Sequence, residues 1–88
     1  MQFEFDPSRA VNNVRKHGVS FADAEGVFFD PPALHIPDPE AAAEERFVAI
    51  GLGSAGDLLV VVYTLHGDRS RPISARRATG RERKSYEG

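Results

Sequence analysis

The most constraining stretch of this 88-residue chain is Leu58 to Leu65, which is apolar at both strand parities. Leu58, Val60 and Val62 fall on one face, and Leu59, Val61 and Tyr63 on the other. A strand with one wet face alternates apolar with polar residues, whereas a strand covered on both sides does not. The stretch is far short of the ~18–20 apolar residues a membrane helix needs. It reads as the central strand of a sheet. Gly53-Ser54-Ala55-Gly56-Asp57 before it is a hairpin loop, so Arg46–Leu52 is the preceding antiparallel strand. His66-Gly67-Asp68 turns the chain again, and Arg69 to Ala75 returns as a further strand. Pro72 has no N–H to give to a ladder, so it requires an edge position or a bulge.

Helices flank this sheet. Phe3 and Phe5 around Glu4 read as a short opening strand, ended by Asp6-Pro7. Asp6 is a helix N-cap and Pro7 suits the first helical position, where a missing N–H costs nothing. The helix should run to Lys16 or His17, with Gly18 in the left-handed conformation after it. Its apolar stripe is thin: Ala10, Val11 and Val14. Ser20 and Asp23 form a capping-box arrangement for a second helix with a Phe21, Ala24, Val27, Phe28 stripe, stopped by Asp30-Pro31-Pro32. Ala33 to Ile36 is a candidate short strand, followed by a polar loop through Glu45 with a helical turn at its alanines. Thr79 and Glu82 form another capping box and open a closing helix to about residue 87. The order β-α-α-β-β-β-β-α implies an α+β fold, a small antiparallel sheet with two N-terminal helices and one C-terminal helix. The length suits one domain over 1–88.

The absence of cysteine excludes a disulfide scaffold, a thiolate zinc site and a thiol nucleophile, and suits a reducing compartment. The first five residues show no signal-peptide pattern, so a cytoplasmic, membrane-free protein is expected. The net charge of -2 conceals a division. Residues 1–66 carry four basic and ten acidic side chains, a sum of -6; residues 67–88 carry seven basic and three acidic, a sum of +4. A basic end is joined to an acidic body.

Five of those cations (Arg76, Arg77, Arg81, Arg83 and Lys84) crowd onto the end of the last strand and the closing helix, with Tyr86 beside them. Guanidinium donors match phosphate oxygens, and a tyrosine adds a stacking ring and a weakly acidic hydroxyl. The plainer alternative is a solvated helix face on which Glu82 pairs with a neighbouring arginine. Lys16-His17-Gly18 is a second candidate: a histidine at a helix C-terminus serves proton transfer, or simply complements the helix dipole. Three scattered histidines give no metal-ligand spacing, so neither metal nor cofactor is expected.

The residues also match a known pattern. In order along the chain come Phe3-Glu4-Phe5-Asp6-Pro7, Arg15-Lys16-His17-Gly18-Val19-Ser20-Phe21, Val27-Phe28-Phe29-Asp30-Pro31, Glu45-Arg46, Ile50-Gly51 and Leu58 to Thr64. Ile73-Ser74-Ala75-Arg76-Arg77-Ala78-Thr79, Glu82-Arg83 and Tyr86 complete the set, which covers nearly the whole chain. It resembles the BrnT family of type II toxin–antitoxin ribonuclease toxins. Phe5 stands where that family usually has Trp, Pro72 where it has an apolar residue, and Gly80 where it has Arg or Lys. The resemblance implies a RelE-like fold and a toxin that cleaves RNA without metal and inhibits translation. It implies a BrnA-like antitoxin partner, and contact with operator DNA only through the antitoxin complex. Basic groups would assist attack by the ribose 2′-hydroxyl, leaving a 2′,3′-cyclic phosphate.

On this reading Arg76, Arg77 and Tyr86 sit near the scissile phosphate and His17 is a further proton carrier. Lys16, Arg69, Arg81, Arg83 and Lys84 hold the RNA backbone. The rival is a non-catalytic binding module whose basic C-terminal surface docks nucleic acid or an acidic protein.

Overall fold

A computed structural model describes residues 2–41 and 45–88. Its elements are β1 (Gln2–Phe3), α1 (Pro7–His17), α2 (Phe21–Glu25), a 3₁₀ turn (Gly26–Phe29), β2 (Leu34–Pro37), β3 (Arg46–Leu52), β4 (Leu58–His66), β5 (Arg69–Arg77) and α3 (Gly80–Glu87). The helical turn expected at alanines 41–43 falls mostly outside the described residues.

The sheet order is β1-β5-β4-β3-β2. β2 to β5 are antiparallel, joined by successive hairpins. β1 departs from the expected all-antiparallel pattern: Gln2 and Phe3 run parallel to Arg69 and Ser70. Helices separate the opening strand from its partner, so no hairpin constrains its direction. β4 is central, and both of its faces are largely buried, as its two-sided apolar pattern requires. Pro72 resolves as a bulge. Val62 pairs with Ser74 while Tyr63 pairs with Pro72, leaving Ile73 as the extra residue.

Local chemistry sets the helix ends. Asp6 accepts a hydrogen bond from the Ser8 N–H at 2.9 Å, and Gly18 takes φ 69°. Ser20 accepts from the Asp23 N–H, and Thr79 and Glu82 make the reciprocal capping box. The second helix is shorter than its stripe suggests, tightening into the 3₁₀ turn at Gly26. There the backbone passes so close to Gly53 and Ser54 of the β3–β4 loop that any Cβ at Gly26 would collide with it.

α1, α2 and the 3₁₀ turn cover one face of the sheet. Val19, Phe21, Ala24 and Val27 pack there on Ala49, Leu59, Val61, Tyr63 and Ala75. α1 turns a different side inward than its valines suggest: Ala10 and Asn13 face the sheet, while Val11 and Val14 stay about half exposed. The reason is Asn13. Its side-chain amide donates to the Val19 and Ala75 carbonyls at 2.9 and 2.8 Å and accepts from the Ala75 N–H at 3.0 Å. β1 pairs with β5 only at its start, so the later β5 edge would lack partners; Asn13 supplies them as a strand would. The opposite face of the sheet holds Arg76, which shares parity with Ser74, and α3 is tied there. No α3 residue is buried.

Candidate functional site

The expected site residues fall into three groups. The first joins β5 to α3. Arg76 donates from Nη1 and Nη2 to the two carboxylate oxygens of Glu82, both at 2.8 Å, and from Nη1 to the Arg77 carbonyl at 3.3 Å. One turn along the same side of α3, the Tyr86 hydroxyl donates to Asp30 Oδ2 at 2.8 Å. That oxygen also accepts from the Leu52 N–H at 2.9 Å. Asp30, legible in sequence only as a helix stop, is the anchor of Tyr86. Bonding to this carboxylate raises the Tyr86 pKa, so its phenol stays protonated at neutral pH. Arg81, Arg83 and Lys84 stand exposed on α3 with no acid partner among the described residues.

The second group lies on the helix-covered side. Arg77 follows Arg76 and so points to the other face of β5. Its Nη2 is 3.5 Å from Asp57, and its Nη1 lies 3.9 Å from where a Cβ on Gly18 would stand. The same end of α1 holds His17 and Lys16, which with Arg9, Asn12, Asn13, Ile73 and Ser74 line a pocket of about 150 Å³. Arg9 is a cation there that sequence reading missed, because only the turn of α1 brings it beside Lys16.

Arg69 belongs to neither group. At ~3.3 Å per residue it lies about 20 Å from Arg76 along β5. Its Nη1 donates to Glu4 at 3.1 Å, and Arg71 holds the other oxygen of that carboxylate at 2.7 Å. Arg71 first, then Arg69, lowers the Glu4 pKa by hydrogen bonding. His35 sits on the edge strand, where its Nδ1 is 2.9 Å from the Tyr63 hydroxyl; burial lowers its pKa. No cluster of three or more histidines and acids able to hold a metal occurs among the described residues.

The Arg76–Glu82 pair sets a pH limit on α3. The hydrogen bond from Arg76 holds the Glu82 carboxyl at about 2, well below the usual 4.5. A depressed carboxyl stabilises the folded form above its unfolded pKa and loses that contribution as pH falls through its folded one. The contribution of the tie is therefore full above pH 4.5, weakens below it and is lost as pH falls through about 2. A carboxyl ¹³C titration should place the Glu82 midpoint near 2; a midpoint between 4 and 5 would mean that no such pair forms in solution.

Fold and site together describe a small α+β protein that gathers guanidinium groups and a protonated phenol where its last strand meets its last helix, a chemistry suited to phosphate. The model of the ribonuclease toxin BrnT of type II toxin–antitoxin systems matches residues 5–82, and the chain belongs to this family. The crystal structure of the Brucella abortus ribonuclease toxin BrnT is similar, with a TM-score of 0.70 and 28% identity over 90% of this chain and 97% of that one. No curated protein sequence matches the chain.

Proposed function

We propose that residues 1–88 act as one toxin domain, a metal-independent, RelE-like endoribonuclease that inhibits translation in the cytoplasm. A BrnA-like antitoxin neutralises it, and it meets operator DNA only within that complex. The observation that carries this reading is that Arg76 is tied to Glu82 one helical turn from Tyr86 on α3, beside three exposed cations, in a chain of a ribonuclease toxin family.

The chemistry follows from the groups present. The ribose 2′-oxygen attacks phosphorus, the bond to the 5′-oxygen breaks, and a 2′,3′-cyclic phosphate and a 5′-hydroxyl remain. Negative charge grows on the phosphoryl oxygens, where fixed guanidinium donors act most strongly. Arg76 meets Glu82 with two parallel N–H donors, and a phosphate entering the site takes the place of that carboxylate with the same geometry. Tyr86 is suited to protonate the leaving 5′-oxygen, because its proton is retained at neutral pH. The 2′-hydroxyl proton passes to water or to His17, a further proton carrier that lies with Arg77 on the helix-covered side of β5. Lys16, Arg81, Arg83 and Lys84 hold the backbone, and Arg69 steers from a distance.

Purified protein incubated with total RNA tests the reading. Cleavage that EDTA leaves unchanged and that ends in cyclic phosphates is expected. RNA binding without cleavage at any concentration would instead establish the non-catalytic module. RNA affinity should fall with salt, and charge-neutralising changes within residues 76–84 should flatten that slope.

A further inference from the structure

Phe29 is the most exposed large apolar side chain among the described residues, at 74%, and neither the core nor the proposed chemistry uses it. Its neighbour Phe28 fills the core side of the 3₁₀ turn, packing on Phe3, His35 and Tyr63. In such a turn, residues three apart stand one above the other. Gly26 presses on Gly53 and Ser54 of the β3–β4 loop, so Phe29 rises on the side of that loop.

Two parts of the site meet there. Asp30, the next residue, accepts from the Tyr86 hydroxyl at 2.8 Å and from the Leu52 N–H at 2.9 Å. The loop carries Asp57, which lies 3.5 Å from Arg77 Nη2. The loop ends at Leu58, whose carbonyl accepts from the Ala78 N–H where β5 passes into α3. Phe29 therefore stands at the end of the sheet that holds both the phenol and the cations. Its Cα is only ~3.8 Å from that of Asp30, so its ring is within reach of a nucleotide whose phosphate lies at Tyr86. We infer that Phe29 is a stacking platform for the nucleobase next to the cut.

The surroundings choose the occupant. A single exposed apolar residue is ordinary on a protein surface; the place beside Asp30 gives this one a use. Unpaired RNA bases stack on bare aromatic rings with little regard to sequence, while cations nearby hold the backbone. A protein partner fits poorly. A stable protein interface buries ~800 Å² on each side, and one ring is too little for that, even with the exposed Leu52 beyond Asp30.

This inference rests on the chain being a ribonuclease, and the test separates the two. Phe29→Ala, Phe29→Leu and Phe29→Tyr are compared with wild type on a short RNA spanning a cut that the wild type makes in total RNA. All three should keep a native circular dichroism spectrum, since the side chain is mostly in solvent. The Ala and Leu variants should raise KM about tenfold, the scale of one lost stacked base, with kcat little changed. Phe29→Tyr keeps a ring and should match wild type. An abasic nucleotide beside the cut should weaken the wild type by the same factor and Phe29→Ala no further. Wild-type KM in the Ala variant overturns the platform. So does rescue by Leu, which keeps apolar bulk without a ring, or failure of Tyr to match wild type. A difference between wild type and Phe29→Ala that persists on the abasic strand overturns it too. If the wild type binds a fluorescent single-stranded RNA but cuts none, the ribonuclease reading fails, while the affinities of the same variants still decide the platform. If it binds none, both fall.

Discussion

Arg76→Ala is expected to lower RNA cleavage by about 10²–10³-fold, the usual cost of one fixed donor to a developing anion, and to abolish growth inhibition. The fold should survive. Arg76 is half-buried on the face opposite the main core, and α3, which it ties, contributes no buried residue. The Thr79–Glu82 capping box remains after the substitution. Circular dichroism should therefore be native while cleavage is lost, and full cleavage by this variant would remove Arg76 from the site. Glu82→Gln separates contact from positioning. Its amide oxygen keeps the cap, but it binds the guanidinium less strongly. If Arg76 meets phosphate, this variant still cleaves; if Arg76 serves only to hold α3, both variants fail together.

The largest effect on stability should come from a residue outside the site. Asn13→Ala removes three buried hydrogen bonds at once and strands the Ala75 N–H and two carbonyls away from water. Each unsatisfied group costs about 1–3 kcal/mol, so a total of about 3–5 kcal/mol is expected. A chain of this size has about 4–13 kcal/mol in all. At about 4–8 °C per kcal/mol, Tm should fall by about 15 °C or more. Thermal denaturation reads this directly. A fall of only a degree or two would mean that water replaces the amide, and that α1 does not depend on Asn13. Asn13→Asp should be as harmful near neutral pH. It keeps the acceptor for Ala75 but turns an oxygen toward the two carbonyls.

Much of the fold was readable from local pattern. The Asp6 cap, the left-handed Gly18 and the Thr79–Glu82 box depend on residues within one helical turn of each other. The β3–β4 hairpin and the two-sided burial of β4 are equally local, since parity and loop composition declare them. What escaped depends on distant partners. β1 reads as a strand, but its parallel pairing with β5 leaves no mark in either segment. Asn13 looks like a polar helix position, and its role exists only because Ala75 arrives 62 residues later. The valines of α1 follow helical spacing, yet this hydrogen bonding turns them to solvent. In the site, the density of cations at 76–84 was plain, whereas their division across two faces of β5 was not. The pairing of Glu82 with a neighbouring arginine was readable as the plainer alternative, but the use of Arg69 and Arg71 against Glu4 and of Arg77 against Asp57 was not. The acidic body thus restrains part of the basic end instead of merely diluting it.

The place of β5 in the sheet has a consequence for synthesis. It is the last strand made, yet it lies between β1 and β4 and supplies the carbonyl and N–H that hold α1. A chain growing from its amino end can close the β3–β4 hairpin early, but α1 and β1 have no sheet to join until residues 69–77 exist. Such late, long-range closure is slow, because loop entropy is lost before any contact compensates for it. The cations of 76–84 are themselves made after α1, α2 and the first four strands. A chain that stops short of residue 69 therefore has neither a closed core nor the proposed phosphate-binding surface, and the order of synthesis alone holds back both until residues 69–84 have been made.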